Sequence, residues 1–285
     1  MPRDQYINPK KTEDEGLTYH PCLRTQISNE MATYTNKKAI IIGGTHGIGL
    51  ATAEMLLNSG AKVLLTGRSK SPIETAKAQL GEKAHIMQCD ITSLANIDNF
   101  ISETKTIFGN NPQLDFLFIN AGYAHLEPFA SVTEESFART FNTNVFGSFF
   151  VAQRFAPLVR DGGAIVFTSS VSAKMGFPGM SVYSASKAAV GSLVQCMACE
   201  LASRGVRVNA VTPGFIKTPT MGVSGVTRDQ LVAFEEEGSR LTPLDRVGRA
   251  EEVAKVAVFL AFEATFTTGS EVLADGGLVS FQKGH

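Results

Sequence analysis

The chain has no apolar run approaching the length of a membrane span, which takes about 20 consecutive apolar residues in a helix. It also lacks an excess of either charge: 26 Lys and Arg stand against 27 Asp and Glu, a formal net charge of -1. General binders of polyanions concentrate positive charge, so nucleic acid is not an expected partner. Cysteine is scarce, four in 285 residues, which excludes a disulfide framework in a chain of this length. Cys196 and Cys199 form a CxxC, but no second paired Cys or His motif supplies further ligands, so no metal is expected. Within the helical stretch SLVQCMACELA they read as small apolar core residues. The opening MPRDQYINPKKTEDEG lacks the apolar stretch of a secretory signal, and Asp4, Glu13, Asp14 and Glu15 oppose a transit peptide. The expectation is a cytoplasmic protein without a membrane partner.

What is present is the balance of a globular protein with a sizeable core: 44% hydrophobic and 19% charged residues. Residues 1–35 are polar, contain three prolines and carry no sustained period. They read as an N-terminal extension, compatible with disorder, with an ordered arm, or with translation starting at Met31. Residues 36–285 read as a single domain. Its strand candidates are KAIIIG, KVLLTG, AHIMQC, LDFLFIN, GAIVFTS, RVNAVT and SEVLAD, apolar nearly throughout, as parallel strands covered on both faces require. Helical patterns separate them. Ile48, Ala51 and Met55 share a stripe over 48–58, and Val253, Val256, Ala257 and Leu260 share one over 251–262. Ser131 with Glu134 predicts a capping box opening a long helix through Val145 and Phe149. This alternation predicts an α/β, Rossmann-type doubly wound fold with a parallel sheet of about seven strands.

The first strand runs straight into GGTHGIG and a helix, placing Gly43, Gly47 and Gly49 at G-x-x-x-G-x-G spacing. Such a turn lets backbone approach a pyrophosphate, and the helix N-terminus adds free N–H groups and partial positive charge. The second strand ends in Thr66-Gly67-Arg68. An acidic residue there would bind the ribose 2′-hydroxyl of NAD; Arg68 instead suits a 2′-phosphate, so NADP(H) is favoured. An arginine stacked on adenine would suit NAD(H) equally.

With these features, residues 37–280 resemble the short-chain dehydrogenase/reductase family. The resemblance is carried by the glycine turn, Asp90 after the third strand, Asn120-Ala121-Gly122 after the fourth, and Asn144 in the following helix. Ser170 after the fifth strand, Tyr183-Ser-Ala-Ser-Lys187, Pro213-Gly214 with Thr218, and Asp275-Gly276-Gly277 complete it in order. Ile42 and Ile119 depart from common family residues without touching the chemistry. The resemblance implies a nicotinamide-dependent oxidoreductase interconverting a carbonyl and an alcohol. Tyr183 would be the general acid/base, Ser170 the group that hydrogen-bonds the substrate oxygen, and Asn144 part of a water chain from Lys187. Tyr183 and Lys187, four apart, share a helix face, so the ammonium is expected to lower the phenol's pKa. It also implies that Lys187 holds the nicotinamide ribose and that Thr45, His46 and Ile48 line the diphosphate. Asp90 and Ile91 would flank the adenine, and Asn120, Ala121 and Gly122 would run behind the ribose. Pro213, Gly214, Ile216 and Thr218 would hold the carboxamide.

A substrate would lie beyond the strand ends, among Tyr123–Phe129, Ser172–Val182 and a lid over 219–245, where Met175, Phe177, Met180 and Met221 suggest an apolar wall. The expected substrate is a medium-sized apolar ketone or secondary alcohol. His46, if protonated, could lend charge near a 2′-phosphate. Two alternatives keep the fold: a biosynthetic isomerase, lyase or cyclase using the same site without net redox, and a dinucleotide-sensing regulator. The resemblance further implies a homotetramer or homodimer built through the long helices after the fourth and fifth strands, which carry Phe141, Phe149, Phe150, Phe155, Leu193, Val194 and Met197.

Overall fold

Strands that are apolar on both faces need cover on both sides, and the sheet satisfies that need with alternate residues. The computed structural model describes residues 33–281. Its strands are β1 (Lys38–Ile42), β2 (Lys62–Gly67), β3 (Ala84–Gln88), β4 (Leu114–Ile119), β5 (Val159–Thr168), β6 (Arg207–Pro213), β7 (Ile216–Lys217), β8 (Gly248–Arg249) and β9 (Glu271–Ala274). All seven expected strands are present and form one sheet in the order β3-β2-β1-β4-β5-β6-β9, with every pairing parallel. The two-residue strands β7 and β8 pair separately.

The helices are α1 (Gly47–Asn58), α2 (Lys70–Leu80), α3 (Leu94–Phe108), α4 (Glu134–Phe141), α5 (Ser148–Phe155), α6 (Ser181–Leu201), α7 (Arg228–Leu241) and α8 (Ala250–Phe262). Ile41, Val63, Leu65, Phe116, Phe118 and Val166 point to one face, against Leu56 of α1, Ala76 of α2 and Val253 and Ala257 of α8. Ile40, Ile42, Leu64, Leu117, Ile165 and Phe167 point to the other, against Phe100 of α3, Phe155 of α5 and Val190 and Val194 of α6. The order reverses between β1 and β4, so the loops leaving their C-terminal ends part to opposite sides and open a crevice there.

Several local expectations are corrected. The helix after β4 opens at Glu134, not through Ser131: Thr133 is the cap and accepts from Ser136 N at 3.1 Å, while Ser131 belongs to the short turn Phe129–Ser131. That helix is not continuous, because a π-turn (Asn142–Gly147) separates α4 from α5. At Gly147 a Cβ would lie 2.7 Å from Ile91 Cγ1 and 2.8 Å from Ile91 O, so the turn can sit against the loop after β3 only with glycine there. Cys196 and Cys199 are exposed, because the buried stripe of α6 runs through Lys187, Val190, Gly191, Val194 and Ala198 and leaves both thiols on the opposite side. Of the expected extension, residues 1–32 lie outside the described residues. Tyr34 is buried and stacks on Phe262 at a centroid distance of 4.5 Å.

Phe155 is fully buried and packs on Phe100 with ring centroids 5.3 Å apart. Phe155→Ala should destabilise the protein by about 3–5 kcal/mol in urea unfolding, the usual range for truncating a core aromatic ring. A loss below about 1 kcal/mol would mean that this core collapses around the gap.

Candidate active site

The C-terminal ends of β1, β2, β4, β5 and β6 surround one cleft of about 520 Å³. Two close approaches form its floor. Gly43 has φ +78, and a Cβ there would stand 2.8 Å from Ala121 Cα; a Cβ on Gly49 would stand 2.1 Å from Gly43 O. Any side chain at either position would push the first turn of α1 off β1 and β4. Asn120 ties the same crossing, donating from Nδ2 to Gly43 O at 2.8 Å and accepting at Oδ1 from Thr168 Oγ1 at 2.9 Å.

The cleft fits a dinucleotide. No side chain caps α1, and its first turn holds no acidic residue, so its leading N–H groups are free to meet an anion. Gly43, Thr45, His46, Gly47 and Ile48 line that end. Arg68 lines it too, exposed and without a carboxylate partner among the described residues. Asp90 and Ile91 form the adjoining wall, the Asp90 carboxylate accepting from Thr92 N at 3.0 Å and Thr92 Oγ1 at 2.8 Å. Asn120, Ala121 and Gly122 lie in the middle, and Pro213, Gly214, Ile216 and Thr218 close the far side. Gly49 does not line the cleft; it serves the packing beneath. Burial lowers the pKa of His46, which therefore favours the neutral ring and does not supply the positive charge considered for it.

Ser170, Tyr183 and Lys187 meet on the cleft wall. Ser170 follows β5, and its hydroxyl lies close enough to the Tyr183 phenol to favour the phenolate. Tyr183 and Lys187 stand one turn apart near the start of α6, with Lys187 Nζ 5.7 Å from the phenol ring centroid. Lys187 is buried and donates to Thr168 O at 2.7 Å. Gly122 leaves space beside it, since even a Cβ would be 3.4 Å from Nζ.

The electrostatics differ from the sequence expectation. Burial raises the pKa of Tyr183, and the neighbouring Ser170 hydroxyl only partly opposes it; the lysine does not draw the phenol down. Burial also pushes Lys187 down to about 8. The resting site thus disfavours both charged forms, because removing water penalises phenolate and ammonium alike.

Asn144 is fully buried in the π-turn and outside the cleft lining. Its Oδ1 accepts from Tyr123 N at 2.7 Å, and its Nδ2 donates to Tyr123 O at 2.8 Å and Ser186 Oγ at 2.9 Å. Both amide protons are committed, so this side chain acts as a clamp between the loop after β4 and α6. Phe177, Met180 and Met221 line the cleft as expected, whereas Met175, His125 and Glu127 do not. Phe234, Glu237 and Leu241 of the expected lid segment line it too, while sequence reasoning missed Phe215. It missed Ser169 as well, a lining residue whose buried hydroxyl has no hydrogen-bond partner. The signal for α7 was present in Thr227 and Gln230, whose reciprocal bonds of 3.2 and 2.8 Å form a capping box.

Comparison with known proteins agrees with this architecture. A family model described as enoyl-(acyl carrier protein) reductase matches residues 43–279. Oxidoreductase asL5 of Sarocladium schorii is 37% identical over 251 residues, covering 86% of this chain and 96% of that protein. Versicolorin reductase 1 of Aspergillus parasiticus is 36% identical over 255 residues, covering 85% and 95%. A solved short-chain type dehydrogenase/reductase from Mycobacterium marinum superimposes with a TM-score of 0.79 at 30% identity, covering 88% of this chain and 98% of that one. No helix among the described residues is long and apolar enough to cross a membrane.

Lys187 provides a pH test of this site. Its folded pKa, about 8, lies below the ordinary lysine value of 10.5. Stability associated with it is therefore fully present above the unfolded value and is lost as pH falls towards the folded one. Lys187→Met removes this penalty. The variant's stability advantage over wild type should shrink by about 3 kcal/mol in urea unfolding between pH 7.5 and pH 10.5. A difference independent of pH would mean that the ammonium is well solvated.

Proposed function

The chain belongs to the short-chain dehydrogenase/reductase family, an NAD(P)-dependent oxidoreductase of that family, and from that premise we propose that it is an NADP(H)-dependent carbonyl reductase with Tyr183 as its general acid/base. One observation carries the reading: a phenol and a serine hydroxyl, close enough for the serine to ease the phenol's ionisation, border the same cleft with a buried lysine beside them. The dinucleotide, when bound, supplies or accepts the hydride. The chain's own task is to handle the substrate oxygen and its proton.

In this reading the uncapped end of α1 holds the diphosphate, Arg68 the 2′-phosphate, and Lys187 the ribose beside the nicotinamide. A carbonyl oxygen bound between Ser170 and Tyr183 would find two hydroxyl donors as negative charge builds on it. Tyr183 then gives up its proton to form the alcohol. A phenol kept protonated by burial is ready to donate, which supports reduction as the direction for which the resting site is poised. Lys187 assists as the phenolate forms, when a neighbouring ammonium becomes most favourable. Asn144 is a positioning residue that fixes Tyr123 relative to α6. The reading extends to a homotetramer or homodimer through the helices after β4 and β5, supported by Phe149, Phe150, Leu193 and Met197, which stay only partly buried, whereas Phe155 and Val194 of the same helices belong to the core.

Tyr183→Phe should lower kcat by about 10²–10⁴-fold while NADPH still binds, as followed by its fluorescence. Near-normal turnover would remove Tyr183 from its role. With NADPH deuterated at both C4 positions of the nicotinamide, label should reach the product carbon; label-free product would instead indicate non-redox chemistry, and binding without any turnover a sensor. Arg68→Ala should raise KM for NADPH by about 10- to 100-fold, the loss of a charge-assisted contact, and leave KM for NADH nearly unchanged. Equal changes for both cofactors would assign Arg68 to the adenine face.

A further inference from the structure

Beyond Ser170 and Tyr183 the cleft wall turns apolar and then aromatic. Phe177 from the loop after β5 meets Phe215 from the segment after β6, with ring centroids 5.9 Å apart and planes at 87°. Phe215 in turn meets Phe234 of α7 at 5.1 Å and 64°. All three rings line the cleft and stay only partly buried, so part of each is open to it. Met180, Val223 and Leu126 join this wall, and the Tyr183 ring packs against the same cluster. The proton-donating group thus opens directly onto apolar surface. The charged residues Arg68, Asp90 and Lys187 line the dinucleotide half, which leaves Glu237 as the charged group on the aromatic side among the described residues.

We propose that the substrate is a fused-ring aromatic ketone, its carbonyl between Ser170 and Tyr183 and its arene against the Phe177–Phe215–Phe234 wall. This rests on the carbonyl-reductase reading above and adds the substrate class. Apolar area alone would accept saturated and aromatic rings equally. A run of tilted phenyl groups presents ring edges, which carry partial positive charge and attract the electron-rich face of a bound arene. Methionine sulfur adds favourable contacts to aromatic rings, and Met180 and Met221 both line the cleft.

The test compares 2-tetralone with 2-decalone, two ten-carbon bicyclic ketones whose carbonyls are not conjugated to a ring. With the NADPH-loaded enzyme, kcat/KM should favour 2-tetralone by about tenfold or more, the preference two edge-to-face contacts supply. The substitutions Phe177→Leu and Phe234→Leu, which keep the wall apolar, should bring that ratio close to one. Calorimetry of the NADPH-loaded enzyme with the matching alcohols, 2-tetralol and 2-decalol, a pairing with no hydride acceptor, reads the same preference without turnover. Equal efficiencies and equal affinities for the saturated and aromatic rings overturn the aromatic assignment and leave the reductase reading standing. A preference that survives both substitutions also overturns it, because the arene then lies elsewhere. Ring-dependent affinity with no reduction of either ketone sustains the aromatic assignment and removes the reductase reading.

Discussion

A lysine ammonium held 2.7 Å from the carbonyl of Thr168 ties the first turns of α6 to the end of β5. Burying such a group is unfavourable unless it is hydrogen-bonded, so the contact is what allows Lys187 to stay inside the fold. The rest of the wall follows from it. With Lys187 fixed, Tyr183 must lie one turn earlier, beside Ser170 on the loop leaving the same strand. Ser186, next to the lysine, accepts from Asn144, and Asn144 grips both backbone polar groups of Tyr123. A chain of hydrogen bonds therefore runs from β5 through α6 and the π-turn to the loop after β4. That chain sets the width of the cleft. It also gives the π-turn a reason to exist, since the irregular turn carries Asn144 and occurs where helices are most often bent to serve a site.

The two halves of the cleft use different chemistry. The dinucleotide end is largely backbone: a glycine crossing, uncapped helix N–H groups, and a strand-to-strand strut made by Asn120. Backbone groups cannot drift, so this end is rigid and tolerates little change. The other end is made of side chains from three separate segments, after β5, after β6 and on α7, which share no hydrogen-bond ladder. Such a wall can be reshaped by single substitutions without disturbing the sheet. Shared fold and varied substrate are then two consequences of one division between backbone and side chain.

The same division explains what was legible in the sequence. Strand positions, the glycine turn and the Tyr183–Lys187 pair are local patterns whose spacing follows from the period of a strand or a helix, while Ser170 was identified by resemblance and joins the pair on the cleft wall. Phe215 and Phe234 carry no such mark. They reach Phe177 only because β6 lies beside β5 and α7 folds back over the strand ends. Asn144 was identifiable by resemblance, but its use as a clamp depends on Tyr123 and Ser186, residues 21 and 42 positions away. Cys196 and Cys199 were misread because composition reveals that a helix is apolar without revealing which face is inward. The cap at Thr133 rather than Ser131 is a smaller error of the same kind, two polar residues competing for one helix end. The direction of the Tyr183 shift was misjudged because spacing places a cation near a phenol but does not reveal how much water remains around either.

That last point joins the proposed chemistry to the packing. The apolar cluster against which Tyr183 rests is also the wall on which a substrate would lie. Desolvation there raises the phenol and lowers the lysine, so the resting pair favours the neutral phenol and weakens its hold on the ammonium. An apolar ligand filling the chamber would displace more water and hold the proton on the phenol more firmly. Only when negative charge appears on the substrate oxygen does the balance tip, because an alkoxide is a far stronger base than a phenolate. In the proposed reaction the proton would then move to the site of new charge, and the phenolate left behind would meet a lysine one turn away. Packing that looks merely hydrophobic thus sets when the proton is released.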